Sequence, residues 1–356
     1  MSLFEPVRFG DLALPNRIVM APMTRNRAPD TIPNERMVRY YAQRASAGLI
    51  VTEATQIAPR GVGYPDTPGI HDNAQVRAWR QVTEAVHVAG GRIAVQLWHV
   101  GRISHSSYHG GALPVSASAV RPAGQALTPS GVVPFETPHA LTEQEIYEVI
   151  DAYAAGARRA QLAGFDAVEV HAANGYLIDQ FLQSGTNQRT DAWGGTVARR
   201  AKLLLEVTRA VIDVFGSYRV GVRLSPGGTF NDMSDEEPAV TFGHAAAMLG
   251  ELACAYVHVV EARVAGQSAT ELVRSHYRGP IISCGGYDRT TAIDAIDTRR
   301  ADAIAFARHY IANPDLVERL RNNWPLAVPD RRTYYGGGDA GYTDYATYDP
   351  GAPAAN

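Results

Sequence analysis

TEQEIYEVIDAYAAGARRAQLAGFDAVEVHAANGY, residues Thr142–Tyr176, carries a helix, a stop and a strand in succession. Thr142 and Glu145 form a capping-box pair, in which a hydroxyl and a carboxylate each satisfy an amide that the first turn leaves free. Gly164 supplies a residue that can turn left-handed and end the helix. The run Ala167–Val170 (AVEV) is too short for a helix and reads as a strand buried on both faces. Polar groups then follow at once, at His171, Asn174 and Tyr176.

The same alternation extends in both directions. Seven further short runs read as buried strands: Arg17–Met20, Leu49–Thr52, Arg92–Leu97, Val220–Leu224, Tyr256–Val260, Pro280–Ser283 and Ala303–Phe306. Helical patterns lie between them at Asn34–Ala47, Ala74–Ala89, Val197–Phe215 and Asp235–Leu252, and Asn313-Pro314 offers a cap and a first-turn proline to a last long helix. Strands alternating with helices predict a parallel α/β sheet, and eight of them favour a closed (β/α)8 TIM barrel over an open sheet. Residues 1–345 read as one domain. The longest gap between strands follows strand 3, and its segment 101–140, rich in Gly, Pro, Ser and His, reads as a lid-like insertion. Residues 346–356 are expected to form a flexible tail.

Composition narrows the function classes. A net charge of −3 without a long single-sign run leaves no electrostatic footprint for nucleic acid or an anionic membrane. No run of about 18 apolar residues predicts a membrane span, and the first residues lack the basic and apolar pattern of a secretory signal. The two cysteines, Cys254 and Cys284, exclude a disulfide framework, a zinc ribbon and a four-thiolate iron–sulfur cluster. Such low cysteine use suits a reducing, cytoplasmic setting.

A barrel places its chemistry where its strands end. Pro22, Met23 and Thr24 follow the first strand, Glu53 and Ala54 the second, and Gln96, Trp98 and His99 close the third. Arg223 lies near the end of the fifth, Glu261 follows the sixth, Cys284-Gly285-Gly286 the seventh, and Ala307-Arg308 the eighth. No set among them has metal-ligand spacing. If their turn is helical, His171 and Asn174 point the same way and can both donate to one carbonyl oxygen as it gains electron density. Tyr176 carries a phenol suited to late proton donation. The same hexapeptide also reads as a capped strand end with a buried tyrosine. Arg223 either pairs with a rim acid such as Glu261 or, with Gln96, faces the pyrimidine edge of a flavin, where reduction builds negative charge. Gly285, Gly286 and Arg308 occupy the position where barrels often bind phosphate. His99, His105 and His109 are spaced too irregularly for a metal and read as loop histidines.

Several segments together resemble the Old Yellow Enzyme family of FMN-dependent ene-reductases. They include Ala21-Pro22-Met23-Thr24-Arg25, Thr52-Glu53-Ala54-Thr55, Gln96-Leu97-Trp98-His99-Val100-Gly101-Arg102, His171-Ala-Ala-Asn174-Gly-Tyr176 and Gly221-Val222-Arg223-Leu224-Ser225-Pro226. The C-terminal segment Tyr335-Gly-Gly-Gly-Asp-Ala-Gly-Tyr342-Thr-Asp-Tyr also fits, and points to the classical bacterial branch that acts on cyclic enones and nitro compounds. The resemblance runs from about Phe4 to Tyr345 and implies roles. Pro22, Met23, Thr24, Ala54, Gln96 and Arg223 would line the isoalloxazine and ribityl parts of FMN. Gly285, Gly286, Ala307 and Arg308 would hold its phosphate. His171 and Asn174 would grip the substrate carbonyl, Tyr176 would give the proton, and Tyr64, Trp98 and Tyr335 would shape the pocket. NADPH or NADH would be the reductant in a ping-pong cycle, in a monomer or homodimer with a small-molecule substrate.

Two departures bear on the cofactor. Cys284 and Ala307 replace smaller residues of the family pattern, so crowding of the phosphate site is expected. Two other readings remain at this stage. A flavin-binding barrel with little turnover is one. A non-redox barrel isomerase or lyase is the other; Lys202 is the only lysine, so its base would be Glu53 or Glu261.

Overall fold

The computed structural model describes residues 2–351. Eight strands form its centre: β1 Ile18–Met20, β2 Leu49–Val51, β3 Ile93–Trp98, β4 Ala167–Ala172, β5 Val220–Leu224, β6 Tyr256–Val260, β7 Ile281–Cys284 and β8 Ala303–Phe306. All neighbours pair in parallel, and the ring closes where β8 meets β1 through Phe306 and Met20. The barrel is thus the closed (β/α)8 form that the alternation predicts. Nearly every strand residue is buried, as expected when helices cover one face and the barrel interior the other.

The helices that pack outside are α1 Glu35–Ala42, α2 Asn73–Val88, α3 Glu143–Leu162, α4 Lys202–Phe215, α5 Pro238–Glu251, α6 Ala269–His276, α7 Arg289–Asp297 and α8 Leu316–Asn322. The capping box of α3 forms as read, with Thr142 and Glu145 exchanging hydrogen bonds. Other helical expectations are corrected. The pattern at Asn34–Ala47 ends as helix at Ala42. The segment Val197–Phe215 is broken at Ala201 into a single turn and α4. Asn313 does not cap a long helix; it closes the short helix Arg308–Ala312, and the seven-residue α8 begins after Asp315. Helices α6 and α7 escaped the periodicity reading because they are short, although Ser268–Glu271 and Asp288–Thr291 form capping boxes at their starts.

Below the barrel, an N-terminal hairpin, Val7–Phe9 with Leu12–Leu14, packs Phe9, Leu12 and Leu14 against Val19, Val51, Ala94 and Ala167. It fills the end opposite the candidate site. Tyr256 lies inside the barrel and needs Gly221 beside it, since a Cβ there would stand 2.2 Å from its ring. Above, residues 101–140 contain a hairpin, Gln125–Thr128 with Gly131–Pro134, and the short strand Val115–Ser116 pairs in parallel with His139–Ala140. Ala126 and Phe135 from this segment cluster with Trp98 and Tyr176. Of the expected tail, residues 346–348 lie against α8: the Ala346 carbonyl accepts from Arg319 and the Tyr348 amide donates to Asp315. Its last part, residues 352–356, lies outside the described residues. No helix among the described residues is long and apolar enough to cross a membrane.

Candidate active site

Strand register sets the floor of the site. Gln96 on β3 sits beside Glu169 on β4, and Arg223 on β5 stands between His171 on β4 and His258 on β6. Glu169 accepts from Gln96 Nε2 at 2.8 Å and pairs with His258 Nδ1 at 2.9 Å, both members fully buried. Burial alone would raise the Glu169 carboxyl, but His258 and Arg223 overcome it and hold the group below its usual range. Burial alone would lower His258, but the Glu169 carboxylate overcomes it and raises the imidazole. The shifts agree on a buried ion pair. An ionised carboxylate only accepts, so Gln96 must turn its NH2 toward Glu169 and leave its carbonyl oxygen free. The Arg223 guanidinium lies 3.7 Å from Cys284 Sγ through Nη2, and its buried Nε has no partner among the described residues. Glu261 is instead bonded to Ser283 Oγ at 3.1 Å.

One wall is aromatic. Trp98 stacks on Tyr64 with ring centroids 5.7 Å apart, and meets Tyr176 edge-on at 4.9 Å. His171 meets Tyr176 edge-on at 5.1 Å. The Tyr64 and Tyr176 hydroxyls lie 3.3 Å apart. Burial, with Tyr64 next to it, pushes the Tyr176 phenol well above its ordinary value, so it stays protonated. Burial, with Arg223 nearby, pushes His171 down to about 3. The imidazole is therefore neutral near pH 7, and its buried Nδ1 has no partner among the described residues.

The His171–Tyr176 turn is not helical, which corrects one premise of the sequence reading. His171 belongs to β4, whereas Asn174 and Gly175 have φ of 58° and 75°. Ser225 Oγ accepts the Asn174 amide at 2.7 Å, the buried Asp179 carboxylate accepts the Gly175 amide at 2.8 Å, and Asn231 Nδ2 donates to the Asn174 carbonyl at 2.8 Å. This tight turn, rather than one helix face, brings Tyr176 back beside His171.

The opposite side is open. A cleft of about 240 Å³ is lined by Met23, Thr24, Arg25, Ala307, Arg308, Ile311, Tyr334 and the exposed Tyr335. A second cleft, about 350 Å³, runs from Cys284 through Gly285 and Gly286 to Ala307, Arg308 and His309. Gly286 has φ of +71°, and a Cβ there would meet nothing, so its backbone faces free space. Both clefts include Ala307 and Arg308. Pro22 and Ala54 lie at the ends of β1 and β2, on the same rim. His99 is deeply buried rather than a surface loop residue; its Nδ1 accepts the Gly101 amide at 3.1 Å, and burial pushes it down to about 3.

These features fit FMN. A glycine-lined cleft with Arg308 suits a phosphate, while the free Gln96 carbonyl and the unpartnered Arg223 Nε offer an acceptor and a cation to a pyrimidine edge. Sequence reading missed Glu169 and His258. The signal was present: each is an ionisable residue within a strand read as buried on both faces, where a charge requires a partner.

Known proteins agree with this geometry. The model of the NADH:flavin oxidoreductase / NADH oxidase family matches residues 2–327. The chain is similar to the chanoclavine-I aldehyde reductase of Penicillium roqueforti (strain FM164), with 46% identity over 97% of this chain and 96% of that protein. It is similar to a probable flavin mononucleotide-dependent alkene reductase of Leishmania infantum, with 41% identity over 96% of each. Among solved structures, morphinone reductase in complex with tetrahydroNAD superposes with a TM-score of 0.95 and 46% identity, over 100% of both chains.

Proposed function

Because the chain belongs to the NADH:flavin oxidoreductase / NADH oxidase family, we propose that it reduces the activated C=C bond of α,β-unsaturated carbonyls such as enones and maleimides. The family places the chain among oxidoreductases, in line with the Old Yellow Enzyme resemblance, and removes the non-redox isomerase or lyase reading. Non-covalently bound FMN would supply the hydride chemistry that links NADPH or NADH to the β-carbon of the alkene.

In this reading, His171 and Asn174 bind the substrate carbonyl and stabilise the negative charge that builds on its oxygen. The low pKa of His171 suits this task, since a neutral imidazole can still donate one hydrogen bond. Tyr176 gives its phenolic proton to the α-carbon, with Tyr64 at hydrogen-bond reach to steady the oxygen left behind. Trp98 and Tyr335 bound the pocket. Gln96 and Arg223 hold the pyrimidine edge, Pro22, Met23, Thr24 and Ala54 line the ring system, and Gly285, Gly286, Ala307 and Arg308 hold the phosphate. Segment 101–140 acts as the lid. Nitroaromatics and nitrate esters suit the same site, which operates in the cytoplasm in a monomer or homodimer.

The observation that carries the reading is the convergence of a neutral, uncommitted His171 and a protonated Tyr176 on one aromatic wall. Tyr176→Phe tests it by stopped flow. Reoxidation of the flavin by 2-cyclohexenone should slow by about 10²-fold, while flavin reduction by NADPH keeps its rate. Equal slowing of both half-reactions would refute the proton-donor role.

A further inference from the structure

Glu53 lines neither of the two clefts. It is buried at the end of β2, and its Oε1 accepts two consecutive amides, those of Arg25 and, at 3.0 Å, Asn26. Its own amide donates to the Tyr41 hydroxyl at 2.8 Å. The carboxylate thereby pins a turn in which Asn26 has φ of 53°, a strained value for a residue other than glycine.

Three parts of the site hang from that turn. Thr24, which faces the open cleft, directly precedes it. On one side, Asn26 Nδ2 donates to the Pro65 carbonyl and the Ala28 amide to the Asp66 carbonyl at 2.8 Å, which fixes the loop that carries Tyr64. On the other, Arg25 Nε donates to the Tyr334 carbonyl at 2.8 Å, Arg27 Nη2 donates to the Thr333 carbonyl at 2.9 Å, and the Gly336 amide returns to the Arg25 carbonyl at 2.9 Å. Those bonds bracket Tyr335.

We propose that Glu53 is a positioning residue that sets Thr24, Tyr64 and Tyr335 in common register, so that one buried carboxylate shapes both the flavin-facing and the substrate-facing sides of the pocket. The inference rests on the ene-reductase reading for its kinetic consequences, but not for its structural ones. A glutamine keeps an acceptor for both amides, whereas an alanine does not.

The test compares FMN-loaded wild type, Glu53→Gln and Glu53→Ala by amide hydrogen exchange, by the reduction potential of the bound flavin and by steady-state kinetics with 2-cyclohexenone. Glu53→Ala should speed exchange in residues 25–28, where the Ala28 amide reports the bond to Asp66, and in residues 334–336 together, shift the flavin potential, and raise KM more than it lowers kcat. Glu53→Gln should restore most of the exchange pattern and KM. Should Glu53→Ala fail to fold, Asn26→Gly keeps the left-handed turn and removes only the bond to Pro65. It should speed exchange at Ala28, whose amide is bonded to the Asp66 carbonyl, and spare residues 334–336. Exchange and potential unchanged in a folded Glu53→Ala, or no protection lost at Ala28 in Asn26→Gly, would overturn the inference. A wild type that does not reduce the enone would refute the proposed function and leave exchange and potential to decide the role of Glu53.

Discussion

The aromatic wall and the phosphate-type cleft meet on one rim but are built on opposite plans. Tyr64, Trp98, His171 and Tyr176 hold one another through rings and hydroxyls, and three of the four are buried. Gly285, Gly286 and Arg308 are exposed, and the cleft they line is shaped by backbone at positive φ. A group that must move a proton needs fixed geometry and a controlled dielectric, which packed rings supply. A group that must hold a dianionic phosphate needs accessible N–H donors and a cation, which glycine and an exposed arginine supply. Substitutions in the first region should therefore change turnover, and those in the second should change cofactor retention.

The largest expected effect lies in the wall. On the proposed roles, His171→Ala would remove a donor from the developing oxyanion, so the enone half-reaction should slow by about 10²–10³-fold, with FMN content unchanged. Single-turnover absorbance with a pre-reduced enzyme reads the first quantity, and the ratio of visible to protein absorbance the second. Loss of FMN instead would erase the division between the regions.

In the cleft, Gly286→Val forces a β-branched residue into φ of +71°. Strain of about 1–3 kcal/mol should weaken FMN binding roughly five- to 150-fold. Fluorescence titration of the apoprotein measures this, and the flavin that remains bound should turn over normally.

Acid stability depends on His171 of the wall together with groups outside it. His99 and His171 have folded pKa values of about 3 against 6.5, so the unfolded chain binds more protons between those limits and stability falls as pH falls. Glu53, at about 7 against 4.5, and Asp179, at about 6 against 3.8, act in the opposite sense. Glu145, held at about 2 against 4.5, joins the histidines at the acid end. The melting temperature should therefore change little between about 4.5 and 6 and drop steeply below about 4. Glu53→Gln removes one opposing group, so its decline should begin nearer 6.5; a decline that still begins near 4 would contradict the assignment.

The smallest effect concerns Cys284. Its thiol reaches Arg223 rather than only crowding the cleft. Cys284→Ala should change FMN affinity by less than roughly threefold, well under the ~1.4 kcal/mol of a tenfold step. A large gain in affinity would restore the crowding expected from sequence.

The strands were legible because β1–β8 are buried on both faces and carry short apolar runs with little competing pattern. The short helices α6 and α7 were not, since eight or nine residues give too few turns for a period, and only their capping boxes betray them. His171, Asn174 and Tyr176 were legible as a group at a strand end. Their real geometry was not, because the left-handed Asn174 depends on Ser225, Asp179 and Asn231, two of them more than fifty residues away. The Glu169–His258 pair was hidden for a related reason: the two sit on β4 and β6, strands that β5 separates, and only the closed barrel brings their side chains to 2.9 Å.

The most direct test of the central claim is the visible spectrum of the purified, FMN-loaded protein, recorded without oxygen as NADPH and then 2-cyclohexenone are added. A flavin band that bleaches with NADPH and returns with the enone is the expected result. A band that bleaches and stays bleached would contradict alkene reduction at this site, and a protein that cannot be loaded with FMN would contradict the cofactor itself.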